Sequence, residues 1–338
     1  MPGKGPGDGP GPHRPSRGDP LGARRRPRLP LIGRVEREEI SPLAALRALG
    51  SGTPARQAPA APPEAQGQGK SLAEAMHELD ALVGLDHVKE LTREIAALVR
   101  VQSLRAAQGL RSQPIVLHML FSGNPGTGKT TVARLLGEIL RAMGVLPRGH
   151  LVEVERADLV GEYIGHTAQK TREQIRKALG GILFVDEAYS LARGGDRDFG
   201  KESIDVLVKS LEDHKGQLAV VLAGYRREMA YFLEQNPGLR SRFPVHLDFP
   251  DYSLKDLVAI AEGMLAQRQY RMDPRSRAAL WRRLQVVAAQ EPVESGNART
   301  VRNLVERAIR RHALRVTSRS TPPDREGLMT ISAQDWEP

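Results

Sequence analysis

Two short runs of this chain hold the residue types that phosphate chemistry needs. The first is Gly123-Asn124-Pro125-Gly126-Thr127-Gly128-Lys129-Thr130. It follows the apolar run Ile115–Phe121 and opens the apolar periodicity of Val132-Ala133-Arg134-Leu135-Leu136, where a buried strand passes into an amphipathic helix. That context makes the glycine-rich spacing a P-loop. Its glycines let backbone N–H groups close around phosphate oxygens, and the helix that follows adds its positive end. Asn124, Pro125, Gly126, Thr127 and Gly128 would form the cradle, with Thr131 beside it. Lys129 would reach the β- and γ-phosphates, and the Thr130 hydroxyl would ligate magnesium. The second run, Gly181-Ile182-Leu183-Phe184-Val185-Asp186-Glu187, is an apolar strand ending in two carboxylates. Asp186 suits the magnesium shell; Glu187 suits the orienting and polarising of a water that attacks the γ-phosphate. Together the runs imply a chain that binds ATP with Mg2+ and hydrolyses it.

Positioning those residues requires a sheet. Candidate strands Ile115–Ser122, Leu151–Glu155, Ile182–Asp186, Leu218–Ala223 and Val245–Phe249 alternate with helical patterns. Such alternation predicts an α/β fold, a mostly parallel P-loop sheet with helices on both faces. Glu74–Leu82 and Leu91–Gln108 read as helices around the turn Val83-Gly84-Leu85. Past Pro250 the pattern changes to three helices, Leu254–Gln269, Arg275–Ala289 and Thr300–Val316, then a short apolar piece, Leu328–Ile331. The expected organisation is a tail over 1–70, a nucleotide-binding α/β domain over 71–250 and a helical lid over 251–338.

The tail holds 13 of the 24 prolines and 12 of the 33 glycines, so it cannot bury enough apolar surface to offset its ordering entropy. It is expected to be disordered, with at most a short helix near Pro42–Leu49 and a basic cluster at Arg24–Arg28. The net charge of +10 invites a nucleic-acid partner, but its location argues otherwise. Residues 1–70 carry 12 Lys/Arg against 6 Asp/Glu and residues 251–338 carry 15 against 11, whereas 71–250 balance at 23 each. A neutral motor region weakens the case for a nucleic-acid motor. The chain has no cysteine, which removes disulfides and thiolate metal sites. With no apolar run of membrane-spanning length and no signal-peptide core, a cytoplasmic protein is expected.

A P-loop sheet followed by a small helical domain resembles the AAA+ ATPases, and four more boxes sharpen the resemblance. Leu82-Val83-Gly84-Leu85 resembles the turn that frames adenine there, which places Val83 and Gly84 among the nucleotide contacts. Tyr163-Ile164-Gly165, within Leu159–Thr167, resembles the aromatic–hydrophobic–glycine pore loop that grips polypeptide. Asn236–Pro244 resembles the arginine-finger box; it implies Arg242, or else Arg240, as a group acting on the neighbouring subunit's ATP, a role worth roughly 10³–10⁵ in rate. Gly296-Asn297-Ala298-Arg299 resembles sensor 2, with Arg299 reading the γ-phosphate. The runs Ala157–Arg172 and Asp186–Gly195 are similar to one branch, which holds stage V sporulation protein K, red-type rubisco activases and the ATPase domains of type VII secretion. Ser190–Glu202 is most similar to the sporulation protein. The resemblance spans about residues 71–335. Ala223-Gly224-Tyr225 departs from the polar sensor-1 residue of many AAA+ proteins, but the same branch shares it.

The resemblance implies a ring-forming homo-oligomer, a hexamer, that remodels a protein substrate and serves spore maturation. A rubisco activase is the alternative within the branch. A Holliday-junction or clamp-loading motor is disfavoured by the neutral core and by Tyr163. A non-hydrolysing switch is disfavoured by Glu187 and Arg242, which it would not need.

Overall fold

The computed structural model describes residues 69–111, 115–163, 165–193, 199–290, 296–318 and 322–337. The tail expectations, including Arg24–Arg28 and the helix near Pro42–Leu49, lie outside the described residues, as does Ile164.

Helix α1 (Leu72–Asp80) begins at a capping box in which the Ser71 hydroxyl accepts from the Glu74 N–H while the Glu74 carboxylate accepts from Ser71. A turn then leads into α2 (Asp86–Ala107), five residues earlier than the apolar spacing alone suggests. The turn ends abruptly because Gly84 and Leu85 both have left-handed backbone, φ 62° and 59°. Asp86 then supplies an acidic first turn.

Five strands follow: β1 (Met119–Gly123), β2 (Leu151–Val154), β3 (Ile182–Val185), β4 (Ala219–Gly224) and β5 (Val245–Phe249). They pair in parallel in the order β2-β3-β4-β1-β5. Strand β1 starts four residues later than its apolar run. On one side Pro244, immediately before β5, has no N–H to give the ladder. On the other, the His118 ring takes the Val220 N–H through Nδ1 at 3.2 Å.

Side chains alternate across the sheet, and both faces are buried. Leu120, Leu183, Val185, Val220 and Leu222 pack under α5 (His166–Ala178), α6 (Gly200–Asp213) and α7 (Arg226–Gln235). Met119, Phe121, Ile182, Phe184 and Val221 pack against α2 and α3 (Lys129–Ala142). A short helix α4 (Arg156–Leu159) follows β2, so the stretch containing Tyr163 connects α4 to α5. Helix α8 (Pro237–Arg240) is a single turn before β5.

The lid comprises α9 (Leu254–Ala266), α10 (Pro274–Gln290) and α11 (Asn297–Thr317), around a separate apolar cluster that includes Val258, Leu265, Leu280, Val301 and Val305. Its ends differ from the three-helix expectation. Strand β6 (Arg271–Met272) pairs in parallel with β7 (Thr330–Ile331), which follows the short helix α12 (Arg325–Met329) and leads to Trp336. The apolar piece Leu328–Ile331 is thus the return of the chain into the lid core. Among the described residues no helix is long and apolar enough to cross a membrane.

Candidate nucleotide site

Strands β1, β3 and β4 end at one edge of the sheet, where α3 also begins, and the loop joining β1 to α3 is the glycine-rich run. Its geometry follows from its residues. Gly126 and Gly128 take left-handed φ of 72° and 99°, angles most side chains avoid. Thr127 is buried and donates its hydroxyl to the Asn124 carbonyl at 2.8 Å, so its side chain braces the loop from below. Lys129 Nζ donates to the carbonyls of Gly123 and Asn124, 2.8 Å each. Burial pulls the Lys129 pKa below its ordinary value; Asp186 opposes this and the cation of Arg299 adds to it. An ammonium held by neutral carbonyls beside a second cation favours the arrival of a polyanion.

The Walker-type carboxylates stand across from this loop. The Asp186 N–H donates to the Val154 carbonyl at 2.9 Å, which ties the end of β3 to β2. Asp186 Oδ1 accepts the Glu187 N–H at 3.0 Å, and Glu187 adopts φ 47°, which turns its exposed carboxylate out of the strand line. The Thr130 hydroxyl lies 3.4 Å from Glu153 on β2.

Lys129, Thr130, Asp186 and Glu187 line one cleft of about 280 Å³, together with Pro125, Gly126, Gly128, Thr131 and, from the lid, Arg299, whereas the Asn124 and Thr127 side chains do not line it. Lid and loop are bonded directly: the Ala298 N–H donates to the Gly126 carbonyl at 3.1 Å. A Cβ on Gly126 would stand 2.3 Å from the Gly296 carbonyl oxygen, so only glycine lets the lid come this close. The Val83-Gly84 turn lies beyond the phosphate cleft, against the ring of Tyr252, whose hydroxyl donates to the Thr127 carbonyl at 3.1 Å. Burial, then Asp256, pushes the Tyr252 pKa up to about 12, so this donor keeps its proton.

Two residues not foreseen also face the cleft, Tyr225 and Arg302. Arg302 stands three residues after Arg299 on α11, and that spacing could have found it. Tyr225 follows Gly224, where a polar sensor would ordinarily stand. A Cβ on Gly224 would meet Tyr189 Cδ1 at 2.7 Å and the Met229 sulfur at 2.8 Å, so the Tyr189 ring already fills that space.

Other expected site residues stand apart. Arg240 is exposed on α8. Arg242 donates through Nη1 to the Gly238 carbonyl at 2.8 Å, with Nε 3.2 Å from Glu212. Tyr163 is 66% exposed, its ring edge-on to His166 at 5.6 Å between centroids, and Gly165 (φ 83°) caps α5.

The cleft fits a nucleotide polyphosphate and its counter-ion. Left-handed glycines leave the loop backbone uncovered, the start of a fourteen-residue helix points in, and Lys129 and Arg299 supply positive charge. A hydroxyl and a carboxylate, Thr130 and Asp186, are the hard oxygen donors magnesium takes beside phosphates.

Comparison with known proteins agrees. The model for the ATPase family associated with various cellular activities matches residues 119–251, and that for the AAA lid domain matches residues 253–338. Stage V sporulation protein K of Bacillus subtilis is 52% identical over 268 residues, 78% of this chain and 82% of that protein. The chain is an AAA+ ATPase. As such it binds and hydrolyses ATP. This AAA+ chain is also similar to the plasmid protein CbxX of Cupriavidus necator, 48% identical with 83% of this chain and 93% of that one covered. A chloroplastic ribulose bisphosphate carboxylase/oxygenase activase of Cyanidioschyzon merolae is 45% identical, with 80% and 90% covered. Among solved structures, the FIGL-1 AAA domain in complex with ADP shares the fold, with a TM-score of 0.52, 18% identity and coverage of 76% and 80%.

Proposed function

We propose that this AAA+ ATPase works as a ring of identical subunits, a hexamer, that uses ATP to remodel a protein substrate. The observation that carries the reading is a division of labour in space. Lys129, Thr130, Asp186, Glu187 and Arg299 share one cleft, whereas Arg242, Arg240 and Tyr163 stand on other ground. Arg242 and Arg240 lie outside their own cleft, which is the placement that a group acting on a neighbouring subunit's ATP requires. An exposed tyrosine at a loop tip offers a rigid amphipathic face to a passing chain.

In this reading Lys129 and the P-loop N–H groups bind the phosphates in the ground state. Thr130 and Asp186 hold Mg2+, which when bound neutralises charge that builds on the transferring phosphoryl group. Glu187 orients the attacking water and takes up its proton. Arg242 of the adjoining subunit, or Arg240 in its place, stabilises the transition-state charge, and Arg299 senses the terminal phosphate from the lid. Tyr163, Ile164 and Gly165 grip the substrate.

The relatives support two readings of the target. Similarity to stage V sporulation protein K supports a role in spore maturation; the alternative, supported by the CbxX and activase similarities, is remodelling of rubisco. The balanced charge of residues 71–250 disfavours a nucleic-acid motor. The test compares wild type and Tyr163→Ala for ATP turnover and for remodelling of a captured substrate, with and without DNA. Turnover within about twofold of wild type with remodelling lost supports threading, since the phosphate cleft is untouched. Strong DNA stimulation with no effect of Tyr163→Ala overturns it.

A further inference from the structure

Arg299 can act on phosphate only if the helix that carries it starts at a fixed place over the P-loop. That place is set by two residues that are not part of the cleft's lining. Asn297, the first residue of α11, is buried and has φ 45°, a left-handed angle that asparagine tolerates better than most side chains. Its Nδ2 donates to Asp251 Oδ1 at 2.8 Å and lies 3.3 Å from the Pro125 carbonyl, while its Oδ1 accepts the Tyr252 N–H at 3.0 Å. Asp251, in the link between β5 and α9, accepts in turn from Asn124 Nδ2, 3.0 Å to each oxygen. One carboxylate thus receives the amide of a P-loop residue and the amide of the first lid-helix residue. Glycine would satisfy the backbone angle at 297 equally well, so the amide is there for its bonds.

We infer that Asn297 and Asp251 are positioning residues for ATP turnover, which lock the P-loop to the first turn of α11 and so aim Arg299 at the terminal phosphate. The inference rests on the reading of Arg299 as the group that senses that phosphate. Asn297 lies two residues before Arg299 and bonds the loop that cradles the phosphates, so any movement of the loop is delivered to the guanidinium through rigid connections. The pair therefore governs discrimination between ATP and ADP without touching either.

The test uses the full chain with magnesium and calorimetric titration of ADP and of a non-hydrolysable ATP analogue. The readout is the ratio of the two affinities. Arg299→Ala is expected to cut the preference for the analogue by about tenfold, as befits loss of one charged contact. Asn297→Gly, which keeps the backbone angle and removes the amide, should cut it comparably, as should Asn297→Asp, which turns a donor into a second carboxylate facing Asp251. The double variant Asn297→Gly/Arg299→Ala should lose no more than Arg299→Ala alone, because residues acting through one contact do not add. Equal weakening of ADP and analogue by both Asn297 variants, or full additivity in the double variant, overturns the inference. An unchanged ratio in Arg299→Ala would instead remove the reading of Arg299 beneath it.

Discussion

At the scale of single residues, ground-state binding and catalysis fall on different side chains. Lys129→Ala is expected to weaken ATP binding at least about a hundredfold, because the cation nearest the phosphates is lost. Glu187→Gln should bind ATP as wild type does and turn it over about 10²–10³-fold more slowly, the scale of losing one group that acts in the transition state. Titration and steady-state phosphate release measure the two; equal affinity in wild type and Lys129→Ala would refute the phosphate cradle. His118 gives a second expectation. Burial, partly offset by a bond to the Leu211 carbonyl and by Glu212, holds its pKa down at about 4. The unfolded chain binds this proton near pH 6.5. Stability is therefore fully present above that value and is lost as pH falls towards 4, by about 3 kcal/mol in all. Urea unfolding at pH 7 and pH 5 should show the fall in wild type and a smaller one in His118→Leu.

At the scale of elements, the lid is closed by its last strand and turn. Trp336 is buried in the lid core and donates through Nε1 to the Ser276 hydroxyl at 2.8 Å. Asp335 receives a two-pronged bond from Arg315 at 3.0 and 2.9 Å. Arg315 also donates to His312 Nδ1, which leaves His312 Nε2 to donate to the Leu328 carbonyl. Removal of one partner from such a buried ion pair strands the other. Trp336→Ala should cost about 3–5 kcal/mol of lid stability and lower the unfolding midpoint by several degrees in a thermal scan. An unchanged midpoint would show that the C-terminal return is dispensable. None of this closure is visible in the local pattern of Leu328–Ile331, because its partners come from α10 and α11.

At the scale of the whole molecule, an arginine outside its own cleft and a glutamate inside it make a test of assembly. Arg242→Ala should bind ATP and fail to hydrolyse it, and Glu187→Gln likewise. Mixed together they should recover part of the activity, since some interfaces then pair an intact Glu187 with an intact Arg242. Sedimentation of Glu187→Gln with ATP should show a closed ring. Only monomer across micromolar protein, or wild-type turnover by Arg242→Ala, would count against it, and the latter would shift the finger to Arg240.

The chemistry of the cleft was legible in the sequence where its parts are contiguous. The P-loop and the Asp186-Glu187 pair are each set by a few neighbouring residues, and a strand-to-helix context confers their meaning locally. The parallel sheet was legible too, because short apolar runs alternating with helical patterns are what strands buried on both faces require. Tertiary structure alone decided what depends on distant segments meeting. It placed Tyr225 and Arg302 on the cleft, started β1 at Met119 where the His118 ring takes the Val220 N–H and Pro244 has none to give, and filled the sensor-1 space with Tyr189. It also joined Asn124, Asp251 and Asn297 through one carboxylate. Such contacts are between residues up to 172 apart in the chain, and no local spacing encodes them. The last of them arises from packing of the lid against the loop, where a Cβ on Gly126 would not fit.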